Sequence, residues 1–452
     1  MGRISMFLNI RDFGATGKGN VKDTKAFEDA IRECEIRGGG TIYVPPGIYL
    51  TGPIHLKSNM TLYIDNGAIL KFSQDLEDFP LVYTRWEGEE QKVYSPLIYA
   101  ENAENISITG FGLIDGQGSI WWQLHREKRL MYPRPRAVCF YRCKNIAIDG
   151  IRIINSPSWT INPICCNSVA VHNVKIQNPY DSPNTDGINP ESCKGVIISD
   201  CYIDVGDDCI TLKSGTEDCR EKIPCENITV TNCIMAHGHG GIVIGSEMSG
   251  GVRNVVVSNC IFEGTDRGIR IKTRRGRGGI VEDIRVSNII MKNIMCPFAF
   301  YMYYHCGKGG NEKRVWDKSP YPIDGSTPVV RRIYISDVVV RQARASAGFL
   351  YGLTEMPISD VLFSNVVVEM ADNPTPEIPA MMSFIEPMAK RGFVVNTVNG
   401  IRFLNVSVDN QVGSAFELKN CKDVEFYRCS SNGIKEYGKF LDLENVEDII
   451  TG

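Results

Sequence analysis

Four short motifs follow one another along the chain: Asn184-Thr185-Asp186-Gly187, Gly206-Asp207-Asp208, Gly238-His239-Gly240 and Arg270-Ile271-Lys272. Together they hold three carboxylates, one imidazole and two permanent cations. Hydrolysing a glycosidic bond takes an acid to protonate the leaving oxygen and a base or nucleophile on the other side of the sugar. Crowded carboxylates repel one another, which raises the pKa of at least one and supplies the acid, and an imidazole can bond that acid and help hold its proton. Paired cations suit a carboxylate on the substrate. The set fits cleavage of an acidic sugar chain. Taken singly, each motif is bland, since an Asp in a turn most often bonds its own backbone.

Spacing makes the set informative. Asp186 and Asp207 are 21 residues apart, and steps of 31 residues lead from Asp208 to His239 and from His239 to Arg270. Such steps approximate one coil of a solenoid, so the residues are expected at a shared angular position on one wall. The rest of the chain supports winding. A short alternating phrase recurs as Asn105-Ile106-Ser107-Ile108-Thr109-Gly110, Asn145-Ile146-Ala147-Ile148-Asp149-Gly150, Asn227-Ile228-Thr229-Val230-Thr231-Asn232 and Asn254-Val255-Val256-Val257-Ser258-Asn259, with later copies near Ile284, Ile333, Val361, Ile401 and Val424. Period-two alternation bounded by Gly, Asn, Asp and Ser reads as strand and turn, and repeats of this length mark a solenoid. The expectation is an all-β fold, a right-handed parallel β-helix, as a single domain over 1–452. Residues 1–70 would form the cap and first coils, and 100–450 the repeated coils. Stacked turns would let Asn side chains ladder.

A stack of coils needs an end cap. The segment from Asp23 to Arg32 carries apolar residues at helical spacing behind a carboxylate at the expected N-cap, and Gly38-Gly39-Gly40 closes it. Four excursions interrupt the repeat, Trp86 to Ser95, Gly118 to Arg136, Cys306 to Pro328 and Asn373 to Asn399, and are expected as cleft-lining loops. In Gly268-Ile269-Arg270-Ile271-Lys272, alternation sends both isoleucines inward and both cations outward. Adjacent Asp207 and Asp208 cannot both leave a regular strand on one side, so an irregular backbone is expected at Gly206-Asp207-Asp208.

A formal charge of −4 over 452 residues argues against wholesale attraction to nucleic acid or anionic lipid. No stretch reaches the roughly 20 apolar residues of a membrane helix, and the first residues do not resemble an export signal, which points to a cytoplasmic protein, or to a secreted or periplasmic one if a leader has been removed. Sixteen cysteines without a Cys-x-x-Cys pair read as buried free thiols in a reducing compartment, with Cys219 and Cys225 the pair to watch for oxidation. Oligomeric state is open.

On these motifs the chain resembles family 28 glycoside hydrolases, the polygalacturonase-like pectin hydrolases. The opening segment, with Asp12-Phe13-Gly14-Ala15 and Gly38-Gly39-Gly40-Thr41-Ile42-Tyr43-Val44-Pro45, also resembles theirs. The resemblance implies a right-handed parallel β-helix acting on galacturonate-containing oligo- or polysaccharide by single displacement with inversion, without metal or other cofactor. By motif position Asp207 corresponds to the general acid, and Asp186 and Asp208 to the pair that activates water. His239 matches the motif histidine, Arg270 and Lys272 the substrate-binding cations, Asn184 a subsite asparagine and Tyr304 a tyrosine near the site. His237 lies close enough to His239 to leave the choice of imidazole open.

The extra glycine in Gly238-His239-Gly240-Gly241, continuing to Ser246-Glu247, is similar to bacterial exo-acting members. Exo action requires that one side of the groove be closed. The excursion carrying Trp121, Trp122, Arg134 and Arg136 is expected to close it, with aromatic faces for sugars and cations for a terminal uronate. Rival readings are a rhamnogalacturonan or xylogalacturonan hydrolase of the same family, a calcium-dependent pectate lyase, and a β-helix that binds carbohydrate without catalysis.

Overall fold

Each recurring phrase becomes a short strand that buries one face, and the next coil covers it in register. The computed structural model describes residues 7–432 and 440–452. The chain divides into two units, Met1–Asp208 and Cys209–Gly452, each a length of right-handed parallel β-helix.

In the first unit three parallel ladders make three faces. One passes through Gly40–Val44, Met60–Ile64, Glu104–Gly110, Lys144–Asp149, Asn167–His172 and Lys194–Ser199. Another passes through Gly47–Thr51, Ala68–Phe72, Leu113–Asp115, Arg152–Ile154, Lys175–Gln177 and Tyr202–Asp204. The third joins Ile54–His55, Ile98–Glu101, Val138–Tyr141 and Ile161–Ile164. Register sets like on like: Ile106, Ile146, Val169 and Val196 stack and are all buried, each worth about 1.5–3 kcal/mol of transfer free energy.

The second unit repeats the plan with longer strands. Val252–Glu263, Ile280–Lys292, Val329–Ala343, Ile358–Met370 and Val398–Asp409 pair in series. So do Gly240–Gly245, Arg267–Lys272, Cys296–Tyr301, Ser346–Tyr351 and Arg391–Asn396. Phe363, Phe403 and Phe426 stack nearly parallel at 5.5 and 5.3 Å.

The asparagine ladders form as expected. Asn145 donates to Asn105 at 3.0 Å and Asn105 to Asn59 at 2.8 Å, and Asn254 donates to Asn227 at 3.0 Å. Every one of these residues has positive φ, a conformation that Asn tolerates better than most residues, so one side chain serves both turn and ladder.

The capping helix runs over Thr24–Ile36 and buries Ala26, Phe27, Ala30, Ile31 and Cys34. Asp23 occupies the N-cap, yet its carboxylate does not cap the helix; it accepts instead from the amides of Thr16 at 2.7 Å and Gly17 at 3.3 Å. It therefore ties down the preceding turn. Beyond the helix, Gly39 at φ 125° runs so close to Asn59 that no Cβ fits.

The excursions hold more structure than loops. Leu81–Trp86 and Glu89–Tyr94 form an antiparallel hairpin, so Trp86 to Ser95 is mostly its second half. Helices Ser119–Arg126 and Lys313–Trp316 lie inside two others, and Arg391–Asn396 in the last belongs to a ladder. Among the described residues no helix is long and apolar enough to cross a membrane. All sixteen cysteines are free thiols, thirteen of them buried as small hydrophobes, some in strands and others at the corners between them.

Candidate active site

The carboxylate cluster belongs to the first unit. Gly206 and Asp207 bend the backbone and the strand Asp208–Leu212 starts at the second aspartate, so the expected irregularity is present. Its cause is local. Asp207 Oδ1 accepts from the amide of Asp208 at 2.8 Å, and Gly206 donates to Thr185 Oγ1 at 3.3 Å. A Cβ on Gly206 would fall 2.5 Å from the Ser182 carbonyl. Asp186 is fixed by its neighbours above and below: its carbonyl accepts from Thr160 at 2.8 Å, and Gly187 donates to the Asp208 carbonyl at 3.0 Å. Asn189 donates to Asp186 Oδ2 at 3.0 Å.

Carboxylate oxygens of Asp186, Asp207 and Asp208 lie within 4.8 Å of one another. Asp186 and Asp208 are 3% and 1% exposed, and Asp207 is half-buried. Oxygens this close can share a proton or grip a hard cation.

Asn184, at φ 53°, turns toward Arg134, whose Nη2 donates to Asn184 Oδ1 at 2.6 Å. Arg134 Nη1 donates to the carbonyls of Pro157 and Pro183 at 3.0 and 2.7 Å. Burial lowers the Arg134 guanidinium to about 10, against the opposing pull of Glu87, Asp186 and Asp207. It stays charged and places positive potential beside the cluster.

The excursion that was to bind sugar by stacking is built otherwise. Trp121 is wedged against Phe79 and Tyr94, each at 5.1 Å, and Trp122 is buried with its Nε1 donating to the Ser156 carbonyl at 3.0 Å. Neither ring face is open to a substrate. Arg136 lies 5.2 and 5.3 Å from the ring centroids of Trp86 and Trp159, which stack on each other, and it donates to the Arg85 carbonyl and Cys139 Sγ. Helical periodicity drew both tryptophans to the core, a pull that a charge-rich stretch concealed in the sequence.

The cations belong to the second unit. In Arg267–Lys272, Ile269 and Ile271 are buried in the coil, and Arg270 and Lys272 alternate with them on the other face. Both cations are nonetheless covered. Tyr301 Oη accepts from Arg270 Nε at 2.9 Å and Nη2 at 2.7 Å, and Met381 Sδ lies 2.8 Å from Nη2. Lys272 Nζ sits 5.3 Å above the Tyr304 ring. Burial pushes the Tyr304 phenol up, opposed by Arg270, so it is a neutral donor. His239 is half-buried just before Gly240–Gly245, which pairs with Arg267–Lys272. His237 is exposed at φ 58°, its ring beside Gly264.

Sequence reasoning missed three neighbours of these cations. Tyr301 is registered on Lys272 one coil on, so coil spacing could have found it. Glu247 is held to about 2, where burial would raise it but Lys213, Arg277 and Lys272 pull it down; Lys213 Nζ is 3.6 Å away. Met381 arrives from an excursion and has no signal in the repeat.

Residues 34–372 match Glycosyl hydrolases family 28. A Vitis vinifera protein described as a probable polygalacturonase is 35% identical over 375 residues, 80% of this chain and 74% of that one. An endo-polygalacturonase of Pectobacterium carotovorum subsp. carotovorum is 31% identical over 311 residues, covering 64% and 74%. The crystal structure of a hyperthermoactive exopolygalacturonase from Thermotoga maritima matches with TM-score 0.75 and 32% identity, over 89% of this chain and 91% of that one. The match of three quarters of the chain, with relatives above 30% identity across most of their own lengths, makes this glycoside hydrolase a member of glycosyl hydrolase family 28.

Proposed function

We propose that this enzyme hydrolyses α-1,4-galacturonosidic bonds in oligo- and polygalacturonate, releasing sugar from a chain end. The observation that carries the reading is the cluster of Asp186, Asp207 and Asp208 beside the Arg134–Asn184 pair in a family 28 chain. Asp207, the least buried of the three, is assigned as general acid toward the leaving oxygen. Asp186, bonded by Asn189, and Asp208 are assigned to orient the attacking water. His239 is assigned to support the acid, Arg270 and Lys272 to receive a uronate carboxylate, and Asn184 and Tyr304 to bond sugar hydroxyls.

For chain-end cleavage the support comes from the hairpin 81–94. Trp86 stacks on Trp159 at 4.7 Å, one residue before Thr160, whose amide bonds the Asp186 carbonyl. Arg85, fully buried, pairs with Glu191 at 3.3 Å and Glu90 at 2.9 Å. Glu87 at the exposed tip acts electrostatically on Arg134. A hairpin latched there stands beside the cluster and can end the trough. Defined oligogalacturonides test this: mainly monomer or dimer from the first turnovers is expected, and a spread of mid-length products would remove exo action.

Inversion rests on family membership. Generic inverting sites hold their carboxyls roughly 6.5–9.5 Å apart to admit water between them, and the oxygens here are nearer. The anomer formed first, read by proton NMR, decides between direct displacement and a covalent intermediate. Sixteen free thiols support placement in a reducing compartment, which cell fractionation checks.

A further inference from the structure

The excursion 373–390 carries a feature that the proposed roles leave unused. Its neck is closed by paired bonds between Glu377 and Met388, at 2.9 and 2.8 Å, and Arg344 holds Glu377 at 2.8 Å. Arg267 donates to the carbonyls of Ile378 and Pro379 at 2.9 and 3.0 Å. Met381 touches Arg270, Met382 bridges to Tyr304, and Ser383 Oγ lies 3.3 Å from His305 Nδ1. After this run of anchors comes Phe384, 80% exposed and at φ 64°.

An exposed phenylalanine alone means little. This one is held in a backbone conformation that a bulky residue rarely adopts, on a loop pinned at neck and middle. Its ring meets Trp316 edge-to-face at 5.7 Å and 85°, and Trp316 ends the short helix Lys313–Trp316 of a different excursion. Two excursions thus meet through aromatic rings, on the same loop as the Met381 that touches Arg270. Phe384 is three positions from Met381, a reach of at most roughly 10 Å.

We propose that Phe384, braced by Trp316, is a stacking platform for the apolar face of a uronosyl ring farther along the sugar chain than the ring held by Arg270 and Lys272. The ring stacks without a specific hydrogen bond, so the platform accepts acidic and esterified uronates alike. A pinned aromatic adds affinity at little ordering cost because its conformation exists before the sugar arrives. This inference rests on the hydrolase reading above.

The test is kcat/KM of wild type, Phe384→Ala and Phe384→Trp on galacturonate oligomers from dimer to hexamer, with circular dichroism to confirm folding. Phe384→Ala should lose about three- to tenfold on the longer oligomers, mainly through KM, and nothing on the dimer, and Phe384→Trp should restore the long-chain advantage. An active wild type with Phe384→Ala unchanged at all lengths, or equally impaired at all lengths, overturns the platform and leaves the hydrolase reading standing. A wild type inactive on every galacturonide removes both.

Discussion

Arg134 and Asn184 are joined by a 2.6 Å hydrogen bond, and the same guanidinium holds the Pro183 carbonyl at 2.7 Å. One buried side chain thereby sets both the backbone and the side chain just ahead of Asp186. Lysine cannot reproduce that fork. Arg134→Lys is expected to raise KM about tenfold, the worth of a charged hydrogen bond, with a smaller fall in kcat. Steady-state kinetics on a trimer checks this, and an unchanged KM would detach Arg134 from substrate binding.

Asp207→Asn keeps the shape and removes the proton donor. Turnover should fall by about 10²–10⁴-fold, with circular dichroism and thermal midpoint close to wild type, because Asp207 is half-buried at a bend rather than in the core. Activity above a tenth of wild type would end its assignment as the acid.

Glu247 contributes a pH-dependent term to stability. Burial raises its pKa, but Lys213, Arg277 and Lys272 more than offset this and hold it at about 2 against an ordinary value of 4.5. A depressed pKa stabilises the fold fully above the unfolded value, and the contribution is lost as pH falls from about 4.5 to 2. Glu247→Gln should cost about 3 kcal/mol at neutral pH and flatten the acid limb of a urea stability profile over that window. A parallel limb in the variant would contradict the assignment.

Arg85 and Glu191 are both fully buried. Breaking such a pair from one side strands the partner charge, typically at about 3–5 kcal/mol. Arg85→Met should lower the thermal midpoint, render the hairpin tip near Glu87 sensitive to limited proteolysis, and shift early products toward mid-length oligomers. Exo products with an intact tip would show that the pair does not latch the hairpin.

The three carboxylates are near enough to share a cation, which is the arrangement a calcium-assisted lyase would exploit. Acid–base hydrolysis predicts that a saturating chelator leaves the rate unchanged and that no product absorbs in the ultraviolet as an unsaturated uronide does. Activity lost to chelation and restored by calcium would favour elimination.

Local order was legible because it rests on period. Alternation in phrases such as Asn145 to Gly150 yields strands wherever the next coil can cover them, and Gly-Asp-Asp breaks a strand because neighbouring side chains must diverge. The same rule placed Ile269 and Ile271 inward with Arg270 and Lys272 opposite. The excursions were less legible, since they obey no repeat. Trp121 and Trp122 read as sugar platforms within a basic stretch, but a short helix turns them into the core. Asp23 fits a helix N-cap by type, yet an earlier turn takes its carboxylate.

The coil, its ladders and the spacing of the motif residues follow from the order of residues alone, because stacking identical turns is a local rule applied again and again. Long-range contacts settled which cations are buried against which partners, that Arg134 rather than Trp121 or Trp122 of the excursion 118–136 stands beside the carboxylates, and that Phe384 is presented by a pinned loop. Those outcomes depend on contacts between segments far apart in the chain, where the winner is set by competing burial and by the geometry of buried charge, neither of which is written in any short run of residues.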